Sequence, residues 1–340
     1  MTTKQIIFPE INKAELVEKE LASLSSHSVM VKTAVSTISN GTERANIMGD
    51  PNVSAVGAPS VTFPRSVGYN SAGVVIAVGS EVTSVKVGDR VVVYWGKHQG
   101  INMVHEKKVV KIEDESVSFE AGAMSFIATF PMAAIRKTRL EMGESAMVMG
   151  LGLLGIFAVQ FCRLNGANPV IAADLNPARR ELALKLGADY AFDPSAPDFV
   201  EQVKAATKGK GVRATVEVTG VSAAMRQALE CASWMGRISL LGCTRVSDCA
   251  VDYYQQVHRP GVKLIGAHNL VRPKVESYPH HWTHQDDCKA ILDLIGAGRI
   301  QVAPIVSRVV SPEDCTEIYN QLCDDPTFPM GTVFDWREIK

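Results

Sequence analysis

The sequence predicts an α/β chain: a β-rich segment with the texture of a small barrel, followed by a doubly wound parallel sheet. Three observations carry that expectation. Residues 145–174 place a glycine fingerprint between a short apolar strand and an apolar helix. Strands alternate with helices from about 130 to 267, the mark of a parallel sheet covered on both faces. Before them, glycine turns punctuate β-rich runs.

In chain order, Val29 to Val35 alternates loosely, as a strand does. Ser39-Asn40-Gly41-Thr42-Glu43-Arg44 is a loop signal, and a polar stretch follows to about Pro64. Gly68 to Gly79 leads through a turn to Val87 to Val93, two β-rich segments joined by glycine turns. Residues 1–129 therefore read as mainly β.

The fingerprint comes next. Ala146 to Met149 is an apolar strand that runs into Gly150-x-Gly152-x-x-Gly155 and then an apolar helix ending near Gly166. A second strand, Val170 to Ala173, stops on Asp174, 19 residues past Gly155. Gly150 suits a tight turn, Gly152 close backbone approach to a pyrophosphate, and Gly155 close helix–strand packing. The helix start, with Leu153 and Leu154, offers free N–H groups and the positive dipole end to that pyrophosphate. Asp174 would hydrogen-bond the adenosine ribose and repel a 2′-phosphate, so NAD(H) is expected rather than NADP(H). A membrane span is the competing reading, because Ser145 to Cys162 carries no charge over 18 residues. Three glycines in six positions, and the exit into Arg163 and Asn165, argue against it.

After Asp174, Asn176 is an N-cap and Pro177 a first-turn residue for a helix over Ala178 to Leu186, which includes Arg179. Ala214 to Val218 is a strand ending at Thr219-Gly220, Ala223 to Ala232 a helix, and Arg237 to Leu241 a strand ending at Gly242. Val262 to Ile265 closes the sheet. Ligands bind at the carboxyl ends of such strands, so Thr219, Gly220 and Gly242 are expected under the cofactor with the fingerprint glycines, Asp174 and Arg179. In the tail, Asp286 to Gly296 and Pro312 to Leu322 read as helices and Gly331 to Trp336 as strand-like.

Bulk composition sets limits. A chain of 340 residues suggests two domains. Hydrophobic residues at 46% and charged residues at 21% are ordinary for a globular protein. A net charge of −1 favours neither nucleic acid nor acidic lipid as partner. The start of the chain lacks a signal-peptide apolar core, and the seven cysteines form no CxxC pair, which fits a reducing cytoplasm.

These residues together resemble the medium-chain dehydrogenase/reductase superfamily, the alcohol-dehydrogenase-like proteins. The resemblance rests on Gly41-Thr42-Glu43, Gly68 to Gly79, Val87-Gly88-Asp89-Arg90-Val91, the fingerprint, and Val257 to His268. It is nearest the branch that includes bacteriochlorophyllide dehydrogenases. It implies a GroES-like catalytic domain over 1–129 and 268–340, a Rossmann domain over 130–267, and a homodimer or homotetramer acting on a small-molecule substrate.

Departures from the family pattern bear on the chemistry. Where zinc members carry a Cys, this chain has Asn40; where they carry Gly-His-Glu, it has Gly68-Tyr69-Asn70; their third ligand falls near Ser125. No cysteine precedes Cys162, so a four-cysteine zinc lobe in the first domain is impossible. Asn, Tyr and Ser do not build a zinc cage, and no metal is expected. Hydroxyls must then manage the substrate oxygen. Thr42 occupies the position of the family's substrate-facing hydroxyl, and Tyr69 that of the zinc-binding His. Tyr69 either carries the proton, with its pKa lowered by a neighbour such as a cation, or plugs the metal cavity. Thr42 has a capping or turn role as its alternative. His98 is expected in a loop bordering the cleft, exposed by default. His280-His281-Trp282-Thr283-His284 suggests a pocket lining rather than a metal site.

The expected activity is hydride transfer between NAD(H) and a secondary alcohol or ketone. Reduction of an activated C=C bond is the alternative enzyme, and a catalytically inactive sensor or scaffold the alternative outside enzymes.

Overall fold

The computed structural model describes residues 1–50, 53, 62–245 and 248–339. They divide into two compact units, Met1–Ile127 with Cys288–Lys340, and Ala128–Asp287. The expected division placed residues 268–287 in the first unit; here they cluster with the second. The physical reason is local. Asp287, wholly buried, takes Arg136 at 3.0 Å and Arg272 at 3.1 Å, and Arg272 also donates to the Thr129 carbonyl at 2.9 Å.

The second unit is built on six parallel strands. Across the sheet they run Tyr190–Phe192, Val170–Ala173, Ala146–Met149, Val212–Glu217, Ala232–Leu240 and Lys263–Gly266. Numbered along the chain, that is the order 3-2-1-4-5-6 of a dinucleotide-binding sheet. Ala146–Met149 lies near its centre, paired on one side through Met147↔Ile171 and on the other through Met147↔Thr215. Every residue of this strand is buried. A strand covered on both faces reads as an unbroken apolar run rather than an alternation, and this one does. The helices Leu153–Leu164, Pro177–Lys185, Phe199–Ala206 and Ser222–Cys231 make the crossovers. Met147, Met149, Ile171, Phe199, Val203 and Ile238 belong to one core beneath them.

In the first unit, Ser28–Thr37 is the hub of a seven-stranded sheet. It pairs with Asn70–Val78, with Ile101–His105 and with the C-terminal strand Thr332–Asp335. A smaller sheet joins Glu15–Glu20, Thr2–Phe8 and Arg65–Ser66. Ile6, Phe8, Ile38, Tyr319, Phe334 and Trp336 pack together, so both ends of the chain share one core.

Two local expectations are corrected. The segment expected to loop at Ser39–Arg44 is instead the start of a helix, Asn40–Met48. Glu43 reaches back to accept from the Ser39 N–H at 2.9 Å, filling one of the donors that a helix start leaves open. Gly49 ends the helix in the left-handed region. The 20-residue helix Phe119–Thr138 also begins within the region read as mainly β. It is apolar on nearly every side and correspondingly buried, so it lacks the one-sided stripe by which surface helices are recognised. The polar stretch before Pro64 lies largely outside the described residues. Among the described residues, no helix is long and apolar enough to cross a membrane.

Candidate active site

The second unit carries a cradle at the carboxyl ends of its central strands. Gly150 has φ +90°, and a Cβ there would sit 2.7 Å from Thr219 Cγ2. A Cβ on Gly155 would lie 1.9 Å from the Gly150 carbonyl oxygen, so helix and strand touch there through backbone alone. Gly152 is different: a Cβ on it would meet nothing within 4 Å. It is the N-cap of Leu153–Leu164, no side chain caps that end, and no acid sits in the first turn. The first N–H groups of a helix lack intrahelical partners. Here those of Leu153, Leu154 and Gly155 surround a position kept clear of side chains, as an approaching pyrophosphate requires.

Asp174 borders this cradle. Its carboxylate accepts from the Leu151 N–H at 2.6 Å and from the Asn176 N–H at 2.8 Å. An ionised carboxylate has about four acceptor sites, so capacity remains for ribose hydroxyls. Arg179 Nη1 lies 4.0 Å from the same carboxylate. Asn176 caps the following helix as the sequence expects, accepting from Ala178 and Arg179. Across the strand break, the loops after Glu217 and Leu240 pack backbone to backbone. A Cβ on Gly220 would be 2.7 Å from the Cys243 carbonyl carbon, and one on Gly242 would be 2.2 Å from the Gly220 nitrogen. Glu217, which sequence reasoning missed, organises this turn. Its buried carboxylate accepts from the Thr219 N–H at 2.7 Å, from the Gly220 N–H at 3.1 Å and from the Thr219 hydroxyl. Burial raises its pKa, and those hydrogen bonds oppose the rise.

The first unit carries a cluster of hydroxyls. Tyr69 donates to Ser39 Oγ at 2.6 Å, and its ring lies 5.5 Å from Trp95 and 6.2 Å from Phe126. Burial pushes its pKa up to about 12; hydrogen bonding with Ser39 and Thr42 and the nearby amide of Asn70 work against the rise, and the charge of Glu43 adds to it. The expected lowering by a cation is therefore overturned: the ring is packed among aromatics, and the charge acting on it is an anion. Thr42 lies in the helix Asn40–Met48 rather than in a turn.

His98 is also corrected. It is fully buried rather than exposed at a loop surface. Its Nδ1 is 2.7 Å from Ser36 Oγ and its Nε2 is 3.1 Å from Glu43 Oε2. Tyr319 donates to the same carboxylate, and Trp336 Nε1 donates to Ser36 Oγ at 2.8 Å. His98 thus positions Glu43, which in turn holds Ser39. Glu43 stood in the sequence only as part of the Gly41-Thr42-Glu43 motif, and its pairing with Tyr319 gave no signal, because the two are 276 positions apart and meet only through the fold.

Comparison with known proteins places these two halves. A profile of the alcohol dehydrogenase GroES-like domain matches residues 25–139, and one described as zinc-binding dehydrogenase matches residues 154–268. The chain is 30% identical over 260 residues to an L-threonine 3-dehydrogenase of Symbiobacterium thermophilum, covering 67% of this chain and 72% of that one. The chain belongs to the medium-chain dehydrogenase/reductase superfamily. Its other curated relatives include butanediol and sorbitol dehydrogenases. Two solved structures share the fold over 98% of this chain and 99% of theirs. One is an alcohol dehydrogenase from Escherichia coli CFT073 in complex with NADH (19% identity, TM-score 0.82). The other is a zinc-binding dehydrogenase from Sinorhizobium meliloti 1021 bound to NADP (18% identity, TM-score 0.83). This superfamily member is an alcohol-dehydrogenase-like oxidoreductase.

The residues of this dehydrogenase/reductase at the expected zinc positions are occupied otherwise. Asn40 Nδ2 donates to the Pro329 carbonyl at 3.2 Å. Ser125 Oγ donates to the Gly122 carbonyl at 2.7 Å and lies 3.2 Å from Cys288 Sγ. With Tyr69 they offer amide and hydroxyl oxygens where zinc takes thiolate, imidazole or carboxylate. Among the described residues, no group of three or more His, Cys, Asp or Glu side chains could hold a metal.

The histidines at 280–284 are spread over different tasks. His281 and Tyr278 exchange backbone hydrogen bonds. Trp282 lies over the Arg136 guanidinium at 3.8 Å. Thr283 caps the helix His284–Gly296, and His284 Nδ1 is 3.3 Å from Thr129 Oγ1. Burial, with the Arg272 charge, lowers the His284 pKa to about 3. His280 and His281 line a 420 Å³ groove with Lys137, Arg139 and Lys263.

Proposed function

We propose that this protein transfers a hydride between NAD(H) and a secondary alcohol or its ketone without zinc. One observation supports the reading: Tyr69, which the family resemblance sets where zinc members carry a His, is buried beside Trp95 and Phe126 with its hydroxyl on Ser39, and burial keeps the phenol neutral. The nicotinamide supplies and accepts the hydride when bound. The chain's own residues hold it and manage the proton. Leu153, Leu154 and Gly155 N–H groups would take the pyrophosphate at the open side of Gly152, and Asp174 the adenosine ribose. Thr219, Gly220 and Gly242 would form the floor. Asp174 favours NAD(H). Arg179, 4.0 Å away, is the group that would favour a 2′-phosphate if Asp174 were removed.

In ketone reduction an oxyanion develops on the substrate, and a neutral phenol is a competent acid toward an alkoxide, which is a far stronger base. In alcohol oxidation the same site runs in reverse, with the phenolate taking the proton. Thr42 then acts as a hydrogen-bonding partner of Tyr69, and His98 through Glu43 as its support. The deciding experiment follows NADH absorbance with panels of ketones and enones. Ketone reduction supports this reading, enone reduction alone replaces it with C=C chemistry, and NADH binding without turnover replaces it with a sensor.

A further inference from the structure

We propose that Asn70 is a second catalytic residue, its carboxamide contacting the reacting oxygen of the substrate beside Tyr69. This rests on the alcohol/ketone reading above. Asn70 opens the strand Asn70–Val78 and is 1% exposed. Neither its Oδ1 nor its Nδ2 has a hydrogen-bond partner among the described residues. The amide lies close enough to the Tyr69 hydroxyl to ease its ionisation, without closing a hydrogen bond of ordinary geometry.

Other buried polar atoms of this unit share the condition. Ser36 pairs with Ser71 in the sheet, which places Thr37 at the strand end facing Asn70. Thr37 Oγ1 is unpartnered too, and so is Asn40 Oδ1. Leaving both ends of a buried amide unsatisfied destabilises a fold, and such groups collect where function requires them. A carboxamide also serves both redox forms of the substrate. Through Oδ1 it accepts from an alcohol O–H; through Nδ2 it donates to a carbonyl or alkoxide. With the Tyr69 proton turned from Ser39 Oγ to the substrate, the phenol and Nδ2 would give a developing oxyanion two donors in place of a metal.

The test uses the full chain with NADH and the best ketone of the panel. Asn70→Leu keeps the branched outline and removes both polar ends. The expected result is a melting temperature no lower than wild type, unchanged NADH affinity, and kcat reduced about 100-fold with KM little moved. Asn70→Asp keeps the shape and replaces the donor by a carboxylate oxygen, and should lose rate at neutral pH to a similar degree. It covers the case in which the leucine variant fails to fold. Rates within threefold of wild type in either folded variant would overturn the proposal and leave the amide as a holder of internal water. A wild-type protein that binds NADH but reduces no ketone would overturn the activity reading, and this assignment with it.

Discussion

Replacing Tyr69 by Phe removes one oxygen and almost no volume, so its effects separate chemistry from packing. The hydroxyl donates to Ser39 Oγ at 2.6 Å, and Ser39 is 6% exposed. Loss of that bond should cost about 1 kcal/mol of stability. The catalytic effect should be larger, about 10²–10⁴-fold in kcat for ketone reduction, the range of a positioned general acid. NADH affinity, measured by fluorescence titration, should hold within about twofold, because the cradle is built from other residues. The pH profile adds a second signature. Burial raises the phenol's folded pKa from 10 to about 12. Its contribution to stability, roughly 2–3 kcal/mol, is therefore whole below pH 10 and is lost as pH rises through 12. Reduction needs the protonated phenol, so its rate should stay level to about pH 11 and fall as pH rises through about 12, and the Phe variant should lack that limb. A Tyr69→Phe enzyme within threefold of the wild-type rate would refute the role given to the hydroxyl and leave the ring as packing.

Two further outcomes test the nucleotide half. Asp174→Ala should weaken NADH binding about tenfold and narrow the preference over NADPH, since Arg179 remains beside the vacated position; equal affinities before and after, in a titration of both nucleotides, would remove Asp174 from the cofactor reading. Gly155→Ala would drive a methyl to 1.9 Å from the Gly150 carbonyl oxygen; the variant should melt at a lower temperature and lose NADH binding, and a wild-type melting curve would contradict the close packing assigned there.

The parallel sheet was legible because its strands are short and buried on both faces, so Ala146–Met149 and Val170–Ala173 appear as unbroken apolar runs ahead of a glycine turn and an acid. Asn176 and Pro177 announced their helix by local chemistry, which needs no tertiary partner. Phe119–Thr138 was hidden because burial on all sides erases amphipathic periodicity. The helix at Asn40 was hidden behind Ser39, Asn40 and Gly41, residues that equally form turns. His98 could not be placed, since its partners Ser36 and Glu43 lie 62 and 55 positions away. The direction of the Tyr69 shift was beyond reach for the same reason: Trp95 and Phe126, which surround it, are brought there by the fold.

The central claim is hydride transfer managed by side-chain hydroxyls rather than by zinc. Ketone reduction by NADH, followed before and after exhaustive chelation with the zinc content of each sample measured, tests it most directly. An unchanged rate in protein holding far less than one zinc per chain is the expected result. Activity that disappears with the metal and returns on adding zinc would contradict it.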